Sequence, residues 1–275
     1  MRYCGIDLAW GQKNTTAVVV LQGTDEPSEG AGLLAFADDL LTDTDILQFV
    51  ARFDDGGGLL IGIDAPTLIP NPTGRRPCEA ILSSCLRRYE AGPHPANRTL
   101  LASPDGTVRG ERLVQQLNER GIRHTPYPNT LTEPPRAAFE GFPHTAHIAL
   151  FDLEKTLKYK TKPKRTLESR LAAFRRYGDL LHGLASADPP LCLPYDAFHR
   201  RDPAVFCSVR ALKRHEDALD ALTRAYVALY RRRWGDERCP VVGDMTHGYI
   251  VTPATESMKA CFSAASQMVE TANLR

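Results

Sequence analysis

At 275 residues the chain is long enough to bury a substantial core, as one large domain or as one domain carrying an insertion. Its 34 lysines and arginines nearly match its 33 aspartates and glutamates, so whole-molecule attraction to a polyanion is not indicated and any basic surface must be local. No apolar run reaches membrane-spanning length, no secretory leader is visible, and the seven cysteines are scattered without a Cys-x-x-Cys pair, so we expect free thiols in a soluble cytoplasmic protein.

Residues 3–10 read as a strand with Asp7 inside an apolar run. Segments 15–21 and 32–37 follow across short polar connections, which predicts a three-strand antiparallel meander. Residues 43–53 repeat Ile46, Leu47, Val50 and Phe53 at helical spacing, and Gly56-Gly57-Gly58 ends the helix. A strand over 59–64 then carries a second aspartate, Asp64. The strand, helix, strand order predicts parallel pairing with the first strand. Beyond a Pro-rich stretch, helices are predicted over 77–89 and 110–120, and a strand containing Glu140 over 136–142. Residues 155–184 begin basic and become helical. The longest helix, 209–234, is followed by short strands around Val241 and Ile250.

Aspartate is a poor strand former, and a carboxylate among apolar neighbours loses solvation unless it is paired or bound to a cation. Taken singly, Asp7 can serve a loop at a strand end and Asp64 can open the turn that Pro66 enforces. The repetition, Gly5-Ile6-Asp7 and Gly62-Ile63-Asp64, argues for a shared purpose, because ligands gather at the carboxyl ends of strands in an open parallel sheet.

The long helix holds a second acidic pair, Asp217 and Asp220, three residues apart and therefore neighbours on a helix surface. One reading is a solvated acidic face offset by Lys213, Arg214 and Arg224. Helical phase supports a sharper one: Leu212, Leu219, Leu222, Tyr226 and Leu229 form the apolar stripe, and Ala218, Ala221, Ala225 and Ala228 widen it toward Asp217. This phase sets Asp217 at the edge of the buried face and Asp220 further toward solvent.

A first strand ending in an acid within a meander, a fourth strand ending in an acid beside it, and Asp-x-x-Asp-Ala on a late helix resemble the RNase H-like superfamily, especially its RuvC-type resolvase branch. The fuller pattern, Gly5-Ile6-Asp7-x-Ala9-Trp10, Ile63-Asp64-Ala65-Pro66, Arg76-x-Cys78-Glu79 and Asp217-x-x-Asp220-Ala221, is similar to the family called domain of unknown function 429, itself proposed to contain RNase H-like nucleases. The resemblance implies one RNase H-like α/β domain over 1–275. Its mixed five-stranded sheet would combine the meander with parallel strands and be flanked by helices, with a helical and basic insertion at 155–208 and extra C-terminal strands.

It further implies that Asp7, Asp64, Asp217 and Asp220 are catalytic and hold two Mg²⁺ or Mn²⁺ ions roughly 4 Å apart for phosphodiester hydrolysis. Two departures stand out. Asp64 is shorter than the glutamate usual on the fourth strand of the resolvase branch, and Glu140 is either a further ligand or a structural partner of an arginine. The basic stretch with Lys158, Tyr159, Lys160 and Lys162 offers phosphate contacts and a ring for base stacking, or else a solvated loop. Arg75 and Arg76 bind phosphate or pair with Glu79. Nucleic acid is the expected partner, and a junction substrate would call for a homodimer. The alternatives are an inactive nucleic-acid-binding protein on the same fold and an actin- or sugar-kinase-like phosphotransferase; the latter needs a second Gly-rich phosphate hairpin, which is not found. Histidines lack zinc-site spacing, and no Gly-x-Ser-x-Gly elbow occurs.

Overall fold

The computed structural model describes residues 1–11, 14–194, 197–198 and 208–273, the last four of these by backbone alone. Part of the expected 155–208 insertion, with His199 and Cys207, lies outside the described residues. In chain order the elements are β1 (Arg2–Asp7), β2 (Thr16–Gly23), β3 (Ala31–Leu40), α1 (Asp43–Phe53), β4 (Leu59–Asp64), α2 (Pro77–Cys85), α3 (Arg98–Leu101), α4 (Arg109–Asn118), β5 (Arg123–His124) and β6 (Arg136–Glu140). There follow α5 (Pro143–Leu150), α6 (Leu167–Gly183), β7 (Leu191–Cys192), α7 (Val209–Arg238), β8 (Val241–Asp244), β9 (Gly248–Val251) and α8 (Glu256–Asn273).

The fold is mixed α/β. Its sheet has seven strands in the order β5-β6-β4-β1-β2-β3-β7, not the five expected, because two-residue edge strands were added at both ends. Strands that short leave no periodic pattern in the sequence. β1, β2 and β3 pair antiparallel, and the other ladders are parallel. β8 and β9 form a separate antiparallel ribbon.

The parallel pair β1 and β4 is in register along its whole length: Gly5 stands opposite Gly62, and Asp7 opposite Asp64. Both aspartates therefore leave the sheet at one level. On one face, Ile46, Leu47 and Val50 of α1 and Leu113, Val114 and Leu117 of α4 cover Ile6, Val18, Val20, Ile61 and Ile63. The other face receives α7, whose backbone lies against the two opposed glycines. A Cβ on Gly5 would sit 1.9 Å from the Ala221 carbonyl oxygen, and one on Gly62 would sit 2.7 Å from that of Arg224. Since the obstacle is helix backbone, no side-chain rotation relieves it. Gly5→Ala is expected to lower unfolding free energy by about 3 kcal/mol in urea titration, the upper end of ordinary overpacking costs; a loss below about 0.5 kcal/mol would show that α7 is not seated on this strand.

The far side of α7 is covered as well, by Phe174, Tyr177 and Leu181 of α6. Between Leu212 and Leu229 the helix is consequently buried on nearly every side, Asp220 completely. This corrects the expectation that Asp220 points toward solvent: phase locates a residue relative to one packed face, and here there are two. Cys85 and Cys261 form a disulfide between α2 and α8, where only free thiols were expected. Their separation of 176 residues is no guide to proximity. Cys4, Cys78 and Cys239 are buried and free, and Cys192 is exposed. No helix among the described residues is long and apolar enough to cross a membrane.

Candidate metal centre

Asp7 and Asp64 reach the site from adjacent strand ends, and Asp220 descends on them from α7. One carboxylate oxygen of each lies within 4.8 Å of the others. Asp217, one turn earlier on α7, lines the same cleft and exerts the strongest single charge effect on Asp7. The register of β1 on β4 and the glycine seats beneath α7 are what bring acids from distant parts of the chain together.

Crowding perturbs every member. Burial, then the charges of Asp217, Asp64 and Asp220, push the Asp7 carboxyl well above its usual range. Burial raises Asp64 to about 6 even though Lys160 and Arg224 oppose it, and it raises Asp217 to about 6 against the pull of Lys213. Asp220 goes the other way: burial pushes its carboxyl up, but Lys160, His144 and His147 and the Tyr159 hydroxyl together bring it down to about 2. Its Oδ1 accepts from Tyr159 at 2.7 Å and from Tyr177 at 3.2 Å, and Tyr177 is held in turn by Thr223 at 2.5 Å and His147 at 2.7 Å. Asp220 is thus a fixed carboxylate, whereas Asp7 keeps a buried Oδ2 with no hydrogen-bond partner among the described residues.

Two lysines enter this cluster. Lys160 Nζ makes an ion pair with Asp220 Oδ2 at 2.9 Å, without the alignment of a hydrogen bond. Lys213 Nζ bonds Asp217 Oδ1 at 2.5 Å and Glu216 Oε1 at 2.8 Å. Burial alone would lower the Lys160 ammonium, but Asp220, Asp64 and Asp7 more than reverse this and raise it. Beneath the acids lies the buried Arg224 guanidinium, with no hydrogen-bond partner among the described residues.

The remaining expected residues are distributed differently. Glu140 is not in the cluster; its carboxylate is engaged by Arg76 through Nη2 at 2.5 Å and Nη1 at 2.9 Å and by the Thr67 amide at 2.8 Å. The strand places it one residue short of Asp64's level, opposite Ile63, where α2 supplies the arginine. Arg76 is fully buried between Glu140 and Glu79, so its donors are spent inside the protein. Arg75 bonds the Ser83 hydroxyl at 2.6 Å and is not a cleft residue. Tyr159 is buried, which corrects its expected role as a stacking ring. Lys158 pairs with Glu90, and Lys162 lines the cleft.

The cleft above the acids has a volume of about 1030 Å³. Trp10, 62% exposed, stands at its wall, and Lys158, Lys162, Arg165 and Arg210 add positive charge. Sequence reasoning included Arg165 in the basic stretch, assigned no role to Arg210, and took Lys213 and Arg224 only as offsets on a solvated face. The i, i+4 spacing from Lys213 to Asp217 was the available signal for the first of these two.

The acidic floor has a pH signature. Asp64 is near 4 when unfolded and about 6 when folded, so its contribution to stability is complete below pH 4 and is lost as pH rises through 6. Asn imitates the protonated acid. In metal-free protein, Asp64→Asn is expected to melt with wild type at pH 4 and above it at pH 7, read by differential scanning calorimetry; an equal difference at both pH values would contradict the burial described.

Residues 5–246 match the family described as "Protein of unknown function (DUF429)". Comparison with curated proteins and with solved structures gives no match.

Proposed function

The chain belongs to the DUF429 family, whose description assigns no activity, and from the acidic centre we propose that it is a divalent-metal-dependent phosphodiesterase acting on nucleic acid, built on an RNase H-like scaffold. One observation carries this reading: carboxylate oxygens from β1, β4 and α7 converge within 4.8 Å, one of their neighbours is a buried and unpartnered oxygen of Asp7, and the cluster floors a cleft edged with cations. An all-oxygen set suits Mg²⁺ or Mn²⁺ rather than zinc. The order of parts supports the scaffold: a meander, a fourth strand parallel to the first with its acid at the same level, and a late helix bringing the third acid. That support is analogy of fold, and the chemistry rests on the site.

When bound, the metal would neutralise charge on the phosphate and activate water. Asp7, Asp64 and Asp220 would hold it, and the Tyr159 and Tyr177 hydroxyls keep Asp220 in place for that task. Lys162, Arg165 and Arg210 are placed to attract the flanking phosphates. With Tyr159 buried, the exposed ring beside the acids is Trp10, which takes over the stacking role.

The test is a panel of single-stranded, duplex and branched DNA and RNA with Mg²⁺ or Mn²⁺. Cleavage by wild type that chelator abolishes and that Asp7→Asn lowers by at least about 100-fold is expected. A protein that binds neither ion refutes the reading, and ATP turnover without strand cleavage would favour the phosphotransferase alternative.

A further inference from the structure

We propose that the centre takes a single divalent ion and that the ammonium group of Lys160 stands where a second ion would otherwise sit; this rests on the metal-centre reading above and replaces the pair of ions that the family resemblance implied. Three carboxylate oxygens that lie within 4.8 Å of one another would close on one cation after an inward shift of about half an ångström, since ligands about 2.1 Å from a metal are at most about 4.2 Å apart. A second ion would have to draw on Asp220 and Asp217 at the oxygens that face the two lysines. Both are taken: Asp220 Oδ2 by Lys160 at 2.9 Å and Asp217 Oδ1 by Lys213 at 2.5 Å.

The charge balance points the same way. Asp7, Asp64, Asp217 and Asp220 carry four negative charges when ionised, Lys160 and Lys213 return two, and the charge of Glu216 is met by Arg170 and Arg224 together. What remains is no more than two negative charges, enough for one divalent ion and not for two. Among the described residues, Asp7 Oδ2 and Asp220 Oδ2 are the buried cluster oxygens without a hydrogen bond, and of the two only that of Asp220 has an ammonium against it, so the oxygen left open to an ion is that of Asp7.

Lys160 is held there by its neighbours. Tyr159 before it is locked into the core by its bond to Asp220, and its carbonyl accepts from Arg170 at 2.9 Å, while the Lys160 carbonyl accepts from Arg165 at 2.9 Å. The ammonium is therefore positioned by the backbone on both sides and does not drift in from a free loop. In substrate cleavage it would act as a fixed monocation beside the phosphate, supplying charge without exchangeable ligands.

Isothermal titration of wild type and Lys160→Met with Mn²⁺ at pH 7.5, joined to electron paramagnetic resonance of the loaded proteins, tests this. Wild type is expected to bind one ion with an isolated Mn²⁺ spectrum, and Lys160→Met to bind a second at least ~tenfold more tightly than wild type does, with spin coupling between the two. Two ions on wild type overturn the inference while leaving the metal centre intact. One ion on Lys160→Met, even if bound more tightly, also overturns it, because the lysine would then be a competitor and not a substitute. No ion on either protein overturns both readings. The wild-type count stands on its own if Lys160→Met does not fold, and Lys160→Gln offers a more conservative second variant.

Discussion

Asp7→Asn is expected to lower phosphodiester cleavage by on the order of 10²–10³-fold, the scale seen when one electrostatic contact to a reacting group is removed. It is also expected to weaken Mn²⁺ binding by at least about 100-fold, since removal of even a partner outside the ligand set costs up to that much. The effect on stability should have the opposite sign. Asp7 is half-buried beside three other acids and its carboxyl is pushed well above its usual range, so the ionised form is a liability in the metal-free fold. The neutral amide removes that repulsion, and the melting temperature of the metal-free variant at pH 7.5 should rise. A variant that is less active but more stable separates loss of chemistry from loss of structure. Unchanged metal affinity would remove Asp7 from the centre.

Glu140→Ala should do the reverse, costing about 3–5 kcal/mol of stability while leaving Mn²⁺ affinity within about twofold of wild type. The reason is the company Glu140 keeps. Arg76 is fully buried and donates to both Glu140 oxygens, and Thr67 directs its amide at the same carboxylate. Truncation strands a guanidinium and an amide in the interior, and breaking one side of a buried pair costs far more than the pair itself contributes. Because Arg76 also pairs with Glu79 and caps the start of α2, the loss should spread to that helix and to the Tyr249 hydroxyl that the Glu140 amide reaches at 3.2 Å. Chemical denaturation measures the first quantity, and calorimetric titration of the folded variant the second. A tenfold loss of metal affinity with normal stability would restore Glu140 to the ligand set.

Several elements were legible because their physics is local. The amphipathic repeat of 43–53 becomes α1 at the same bounds, complete with a capping box between Thr42 and Asp45. The apolar runs ending in Asp7 and Asp64 become β1 and β4, and the helix between them forces their parallel pairing. β5 and β7 were invisible because two residues carry no period, and they exist only as additions to strands already formed. Tyr159 was misplaced for a related reason: an aromatic among lysines looks exposed by composition, yet its hydroxyl finds a buried acid and its ring packs on Phe174 and Tyr177.

By itself the sequence determined that two aspartates end neighbouring strands and that two more share a late helix, because strand ends, helix phase and crossover handedness follow from patterns within about ten residues. Only the tertiary structure decided which acids meet and what charge they meet with. Glu140 left the set because α2 delivers Arg76 to it, and Asp220 entered it fully because α6 closes the second side of α7. Lys160 joined the acids from a segment whose composition promised phosphate contacts or a solvated loop, not a partner for buried carboxylates. Ion pairing and burial depend on distances between segments some sixty residues apart, which no local pattern encodes.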